Sequence, residues 1–182
     1  PYEVFFDGGT SARSANRNAG AGALIWQIHS IGPPVCIARA VMALPGHHNA
    51  TLAEAHACGM ALQLLTSLAR EHWDTHGTTL RARVIGDCIP VIRYAAAQAR
   101  FRATNFRAPI DRGLEQASEM GWHITWQIAN RRHNHQAHAL ARTGVSWANS
   151  ITLQGGRDHR TQTEWRNHPP NHNAQILLPP WP

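Results

Sequence analysis

The stretch Tyr2-Glu3-Val4-Phe5-Phe6-Asp7-Gly8-Gly9 decides the reading of the fold. Tyr2, Val4 and Phe6 alternate with Glu3, Phe5 and Asp7, the period of two that a strand imposes. Gly8-Gly9 predicts its end, and residues 10–19 read as a small, polar loop. Two more strands follow, Gly20 to Ile28 and Val35 to Leu44, joined by a turn at Ser30 to Pro34. Three successive strands with short connections predict an antiparallel meander. Beyond it, Leu52 to Arg70 reads as a helix, with Ala57, Ala61, Leu64 and Leu68 at helical spacing and Asn49 or Thr51 as its cap. Leu80 to Gly86 reads as a fourth strand and Pro90 to Arg100 as a helix. A further helix is predicted over Ala108 to Met120, with Pro109 near its first turn. His123 to Ala129 alternates as a fifth strand, and Asn134 to Trp147 is the last helix. The order βββαβααβα predicts an α/β fold, a five-stranded mixed sheet flanked by helices.

The chain has 182 residues, which at about 150 per domain means one domain, or one with an appendage. Charged residues are 15% and hydrophobic ones 43%, a composition that excludes disorder throughout. No apolar run approaches the roughly 20 residues of a membrane span, so no membrane partner is expected. There is no signal-peptide pattern, and a first residue of Pro1 predicts a processed chain or a piece of a longer one. Cys36, Cys58 and Cys88 are odd in number and far apart, which favours a reducing, intracellular setting over a disulfide framework. The net charge is +6, and all 17 basic residues are arginine. Such permanently charged forks suit phosphate and favour a polyanionic partner. Residues 1–148 read as the globular domain. Residues 149–182 read as a polar, proline-rich tail with five of the eleven prolines, docked on its own domain or on a partner.

With only eleven acidic residues, their placement is informative. Asp7 and Asp87 stand at the C-terminal ends of the first and fourth strands. If those strands are parallel neighbours, both carboxylates meet at one edge of the sheet, where α/β folds bind ligands. Asp beside Gly is also a common turn pair. Glu54 lies early in the strong helix, on the side of its apolar stripe, so it points toward the core. Converging carboxylates repel one another unless a cation sits among them, and a hard divalent ion answers that need. Of the thirteen histidines, His47-His48 and the scattered others lack ligand spacing, and most read as surface groups.

Together these segments resemble type 1 ribonuclease H. The matching pieces are Phe6-Asp7-Gly8-Gly9, Gly20-Ala21-Gly22-Ala23, Ala53-Glu54-Ala55, Ile85-Gly86-Asp87-Cys88, and Arg131, Asn134 and Ala137-His138-Ala139-Leu140-Ala141. The resemblance covers about residues 2–145, in the family's order. It implies a ribonuclease H-like fold and a metal-dependent endonuclease that cuts the RNA strand of an RNA–DNA hybrid. Four carboxylates would hold two Mg²⁺ or Mn²⁺ ions, one activating water and the other stabilising the leaving 3′ oxygen. Asp7 would bridge the ions, with Glu54 and Asp87 completing the sites. Gly8, Gly9, Asn49, Thr51 and Asn134 match positions the family uses on the nucleic acid, where the 2′-OH distinguishes RNA from DNA. Asn49-Ala50-Thr51 only loosely resembles the family's Thr-Asn-Asn.

The resemblance departs at His138, where the family has Asp, and no Asp or Glu occurs between Glu119 and Asp158. Three readings stay open. His138 is a neutral imidazole ligand of the second ion, which suits Mn²⁺ better than Mg²⁺. Or it is a surface histidine in a site reduced to one ion. Or the tail lends Asp158. Arg93, Arg100, Arg102, Arg107 and Arg112, interleaved with Tyr94, Phe101 and Phe106, form a basic stretch suited to phosphates. The rival to an active nuclease is a catalytically impaired domain. It would serve as a structural or RNA-binding part of a larger ribonucleoprotein or reverse transcriptase, reached through the tail.

Overall fold

A computed structural model describes residues 1–11, 17–47, 49–72, 80–169 and 172–182. Residues 12–16 of the predicted polar loop, and His48, lie outside the described residues. The strands are β1 (Tyr2–Thr10), β2 (Ala19–Gln27), β3 (Val35–Leu44), β4 (Leu80–Gly86), β5 (Trp122–Ile128) and β6 (Arg160–Trp165). The helices are α1 (Ala50–His72), α2 (Ile89–Ala95), α3 (Thr104–Glu119) and α4 (His135–Leu153). One mixed sheet has the order β5-β4-β1-β2-β3-β6. β1, β2 and β3 form the antiparallel meander, while β1–β4 and β4–β5 are parallel. Parallel pairing of β1 with β4 puts Asp7 and Asp87 at the same end of the sheet.

The two faces carry different cores. Val4 and Phe6 of β1 are fully buried with Ala53, Ala57, Ala61, Leu65 and Leu68 of α1, and α3 packs behind α1. On the opposite face Leu24, Val41 and Ala43 meet Ala137, Leu140, Trp147 and Ile151 of α4. Small side chains along α1 let that helix lie close to the sheet. Close approach is enforced at two glycines beside the site. A Cβ on Gly8 would lie 2.6 Å from the Ala53 carbonyl oxygen. One on Gly22, the register partner of Asp7, would lie 2.5 Å from Leu140 Cβ and 2.7 Å from the Ala137 carbonyl oxygen.

Several boundaries differ from the sequence reading. Gly8-Gly9 do not end β1, because both pair with β2, opposite Ala21 and Gly20. Asn49 is the cap of α1, its side-chain oxygen accepting from the Leu52 N–H at 3.0 Å. α2 stops at Ala95, and Ala97 turns the chain with φ of 60°. α3 starts at Thr104, so Pro109 lies inside it and not in its first turn. α4 runs on to Leu153.

The sheet has six strands where five were expected. Arg160–Trp165 pairs antiparallel with β3 and covers the edge that β3 would otherwise expose. Gln162, 5% exposed, then holds the returning chain. Its amide donates to the Ile176 carbonyl at 2.8 Å and its oxygen accepts from the Gln175 and Ile176 N–H groups. The buried Arg39 guanidinium donates to Glu164 and to the Pro179 carbonyl and lies 4.2 Å from the Trp181 ring centroid. A buried arginine is tolerated only with such partners. Leu178 completes the α4-side core. Leu178→Ala should therefore cost about 2–3 kcal/mol in denaturant unfolding; an unchanged midpoint would show that the tail does not pack.

Candidate active site

Three carboxylates from remote stretches converge where β1, β4 and the start of α1 meet. Asp7 is 4% and Glu54 8% exposed, and Asp87 follows the last residue of β4. One side-chain oxygen from each lies within 4.8 Å of the others. Among the described residues no other trio of His, Cys, Asp or Glu does so. The geometry follows from the packing. Gly8 lets the backbone at Ala53 and Glu54 rest on β1, which turns the Glu54 side chain toward Asp7. The Gly8 backbone amide favours the charged Glu54 carboxylate, the smallest of the influences on it.

The electrostatics are those of crowded anions. Burial, then the charge and hydrogen bond of Asp7, then the charge of Asp87 push Glu54 up to about 10 from 4.5. Burial and then Asp7 raise Asp87, which the Arg131 guanidinium partly opposes. Arg131 is itself almost fully exposed, its Nε 3.8 Å from Asp87 Oδ2, so that pair is weak. Glu54 Oε2 is buried with no hydrogen-bond partner. A buried acceptor left bare is costly unless something else satisfies it. A hard divalent cation fits this donor set: oxygen ligands only, excess negative charge, and one oxygen without a partner.

His138 joins the trio from α4. Its Nδ1 lies 2.9 Å from Asp7 Oδ2, and its side chain is 62% exposed. Closeness of α4 to β2 at Gly22 puts it there. Asn134 is buried, its amide donating to the Phe6 carbonyl at 2.8 Å. That bond fixes the start of α4 against β1 and commits the Asn134 amide to the fold. Asp158 belongs to the segment before β6 and does not line this cleft.

The other sequence candidates fall in two places. Gly8 and Gly9 line a cleft of about 370 Å³ that also holds the carboxylates. Asn49 and Thr51 sit at the adjacent start of α1, and the Asn49 side-chain oxygen is engaged in the cap. Arg100 and Arg102 are exposed between α2 and α3, away from the cleft lining. Arg107 donates to Thr104 Oγ1 at 3.1 Å beside the Tyr94–Phe101–Phe106 ring stack. Arg142, which sequence reasoning missed, and His135, which it placed on the last helix without a role, also line the carboxylate cleft. Their signal was present: His135, His138 and Arg142 recur at helical spacing on one face of α4.

No protein-family profile matches the chain, and no curated protein sequence matches it. Solved structures do. The N-terminal RNase H domain of a Mycobacterium tuberculosis protein, solved as a fusion with maltose-binding protein, is 22% identical with a TM-score of 0.64. The match covers 84% of this chain and 99% of that one. RNase H1 from the halophilic archaeon Halobacterium salinarum is 20% identical over 80% of this chain and 97% of its own, with a TM-score of 0.59. LC11-RNase H1, solved in complex with an RNA/DNA hybrid, is 15% identical over 82% and 99%, with a TM-score of 0.63. Together with the sheet order and the helices on its two faces, these likenesses show that the chain has the ribonuclease H-like fold.

Proposed function

We propose that the chain is a divalent-metal-dependent endonuclease that hydrolyses the RNA strand of RNA–DNA hybrids. The observation that carries this reading is the convergence of Asp7, Glu54 and Asp87, with a buried Glu54 oxygen left without a partner. Asp7, Glu54 and Asp87 would hold two Mg²⁺ or Mn²⁺ ions, which supply charge stabilisation at the attacking and leaving oxygens. The protein's own groups do the rest. Arg142 and Arg131 give the cleft a positive rim that draws a phosphate toward the carboxylates. Gly9, where a Cβ would meet open space, lets a nucleic-acid backbone come close to β1. Arg100, Arg102 and Arg107, around the start of α3 and apart from the cleft, would add a second, sequence-independent grip on phosphates. His138 Nδ1 is engaged with Asp7, so Nε2 is its free nitrogen, available as a ligand or to accept a proton.

Three carboxylates supply −3 against +4 from two ions, and the scissile phosphate offsets the remainder. Ion binding should therefore be weak without substrate. A second reading draws on the His138–Asp7 contact of 2.9 Å, which satisfies one carboxylate oxygen without an ion. On that reading the site is impaired, and the domain serves as a structural or RNA-binding component of a larger assembly.

A labelled RNA–DNA hybrid separates the two. Cleavage is expected with Mn²⁺ and more slowly with Mg²⁺. Asp7→Asn should lower it by at least about 100-fold, and His138→Asp should raise the Mg²⁺ rate several-fold. No cleavage by the parent or by His138→Asp with either ion would establish the impaired reading.

Proton counting gives an independent check. With Glu54 pushed up to about 10, the ion-free protein holds a proton there at pH 7. An incoming ion must displace it. Calorimetry of Mn²⁺ binding in two buffers of different ionisation enthalpy should show about one proton released per protein. Glu54→Gln should release none. Stability gives the same sign. A carboxyl raised by folding contributes fully below its ordinary 4.5, and the contribution fades as pH rises toward about 10. The melting temperature of the ion-free parent should fall across that window, and that of Glu54→Gln should fall less.

A further inference from the structure

Most histidines read as surface groups in the sequence, but the fold gathers three of them away from the carboxylate cleft. His47 follows β3, His56 stands on α1, and His159 immediately precedes β6. Nε2 of His47 and Nε2 of His159 are 2.7 Å apart, across 112 positions of sequence. The three ring centroids form a triangle with sides of 4.7, 5.4 and 6.1 Å. Three imidazoles on one tetrahedral zinc ion, at a Zn–N length of about 2.0–2.1 Å, place their ring centroids about 5.2 Å apart. The observed triangle brackets that spacing.

We propose that His47, His56 and His159 form a second metal site, for a borderline transition-metal ion such as Zn²⁺, that staples the segment entering β6 to α1 and the end of β3. Neutral imidazole is the ligand form, and the surroundings favour it. Burial, then the neighbouring His159 and His47, hold His56 down to about 4, and burial likewise lowers His159. The rings border a cavity of about 480 Å³, also lined by Met42, Gln63 and Arg112, which leaves room for a fourth ligand.

The donor set selects the ion. Arg112 repels a cation, and the one carboxylate acting on the group, Asp158 beside His159, lies outside the cavity lining, so charge attraction alone does not hold an ion here. Strong bonds to nitrogen do, which favours Zn²⁺, Ni²⁺ or Cu²⁺ over Mg²⁺. His47 and His159 already meet through one N–H···N contact. The His56 ring turns to join them, since among the described residues only the carboxylates already place three ligand atoms within 4.8 Å.

The test uses the 182-residue chain in excess Mg²⁺, which competes with Zn²⁺ for the hard carboxylate site. Zn²⁺ is titrated against a chromogenic chelator, and Co²⁺ reports nitrogen ligation through its visible absorption. One tight equivalent of Zn²⁺ is expected, with a rise in melting temperature on binding. Affinity should fall at least about tenfold in His159→Ala and in His47→Ala, both outside helices and strands, with the circular dichroism of the zinc-free chain unchanged. His56→Gln should behave likewise if it folds. Absence of saturable Zn²⁺ binding overturns the proposal. So does binding that survives both His159→Ala and His47→Ala, or that disappears in Asp7→Asn instead.

Discussion

Two helices reach Asp7 from opposite faces of the sheet, and each does so through a missing side chain. Gly8 admits the backbone of α1 on one face, and Gly22, paired with Asp7 across the ladder, admits α4 on the other. The first contact delivers Glu54 and the second delivers His138. Any Cβ at either position would lift a helix away from β1 and separate the groups that now crowd Asp7. Burial then raises the electrostatic stakes, because charges close together in a low-dielectric setting repel strongly. The elevated Glu54 carboxyl and its bare Oε2 are both consequences of that packing.

The fold was legible where local pattern and tertiary role agree. Alternation in β1, the small-residue stripe of α1 and the strand–helix order all survive in the structure. It was misread where one residue serves a purpose that its local pattern hides. Gly8-Gly9 look like a turn, yet both continue the strand, and at Gly8 close packing of α1 leaves no room for a Cβ. Pro109 looks like a helix start, but α3 begins a turn earlier and carries the proline within it. Ala97 gives no local sign of the positive φ that follows α2.

The tail was harder to read. Arg160–Trp165 is polar on alternate and adjacent positions alike, so its pairing with β3 has no hydrophobic signature. Its partners are tertiary: Gln162 gripping Gln175 and Ile176, and Arg39 engaging Glu164, Pro179 and Trp181. Asp7 and Asp87 were legible in the sequence because each stands beside glycine after an alternating apolar run, although β1 continues past Asp7 to Thr10. The His47–His56–His159 group was missed because no linear spacing links its members, whereas Arg142 lay within reach of the helical spacing from His138.

The central claim is that the acidic trio is assembled around divalent cations. Anomalous scattering from crystals soaked in Mn²⁺ tests it directly. The account predicts a peak coordinated by Asp7, Glu54 and Asp87 oxygens at about 2.0–2.4 Å, with Glu54 Oε2 no longer unpartnered. Crystals with no peak there at high Mn²⁺, and with His138 and Arg131 still against Asp7 and Asp87, would contradict it.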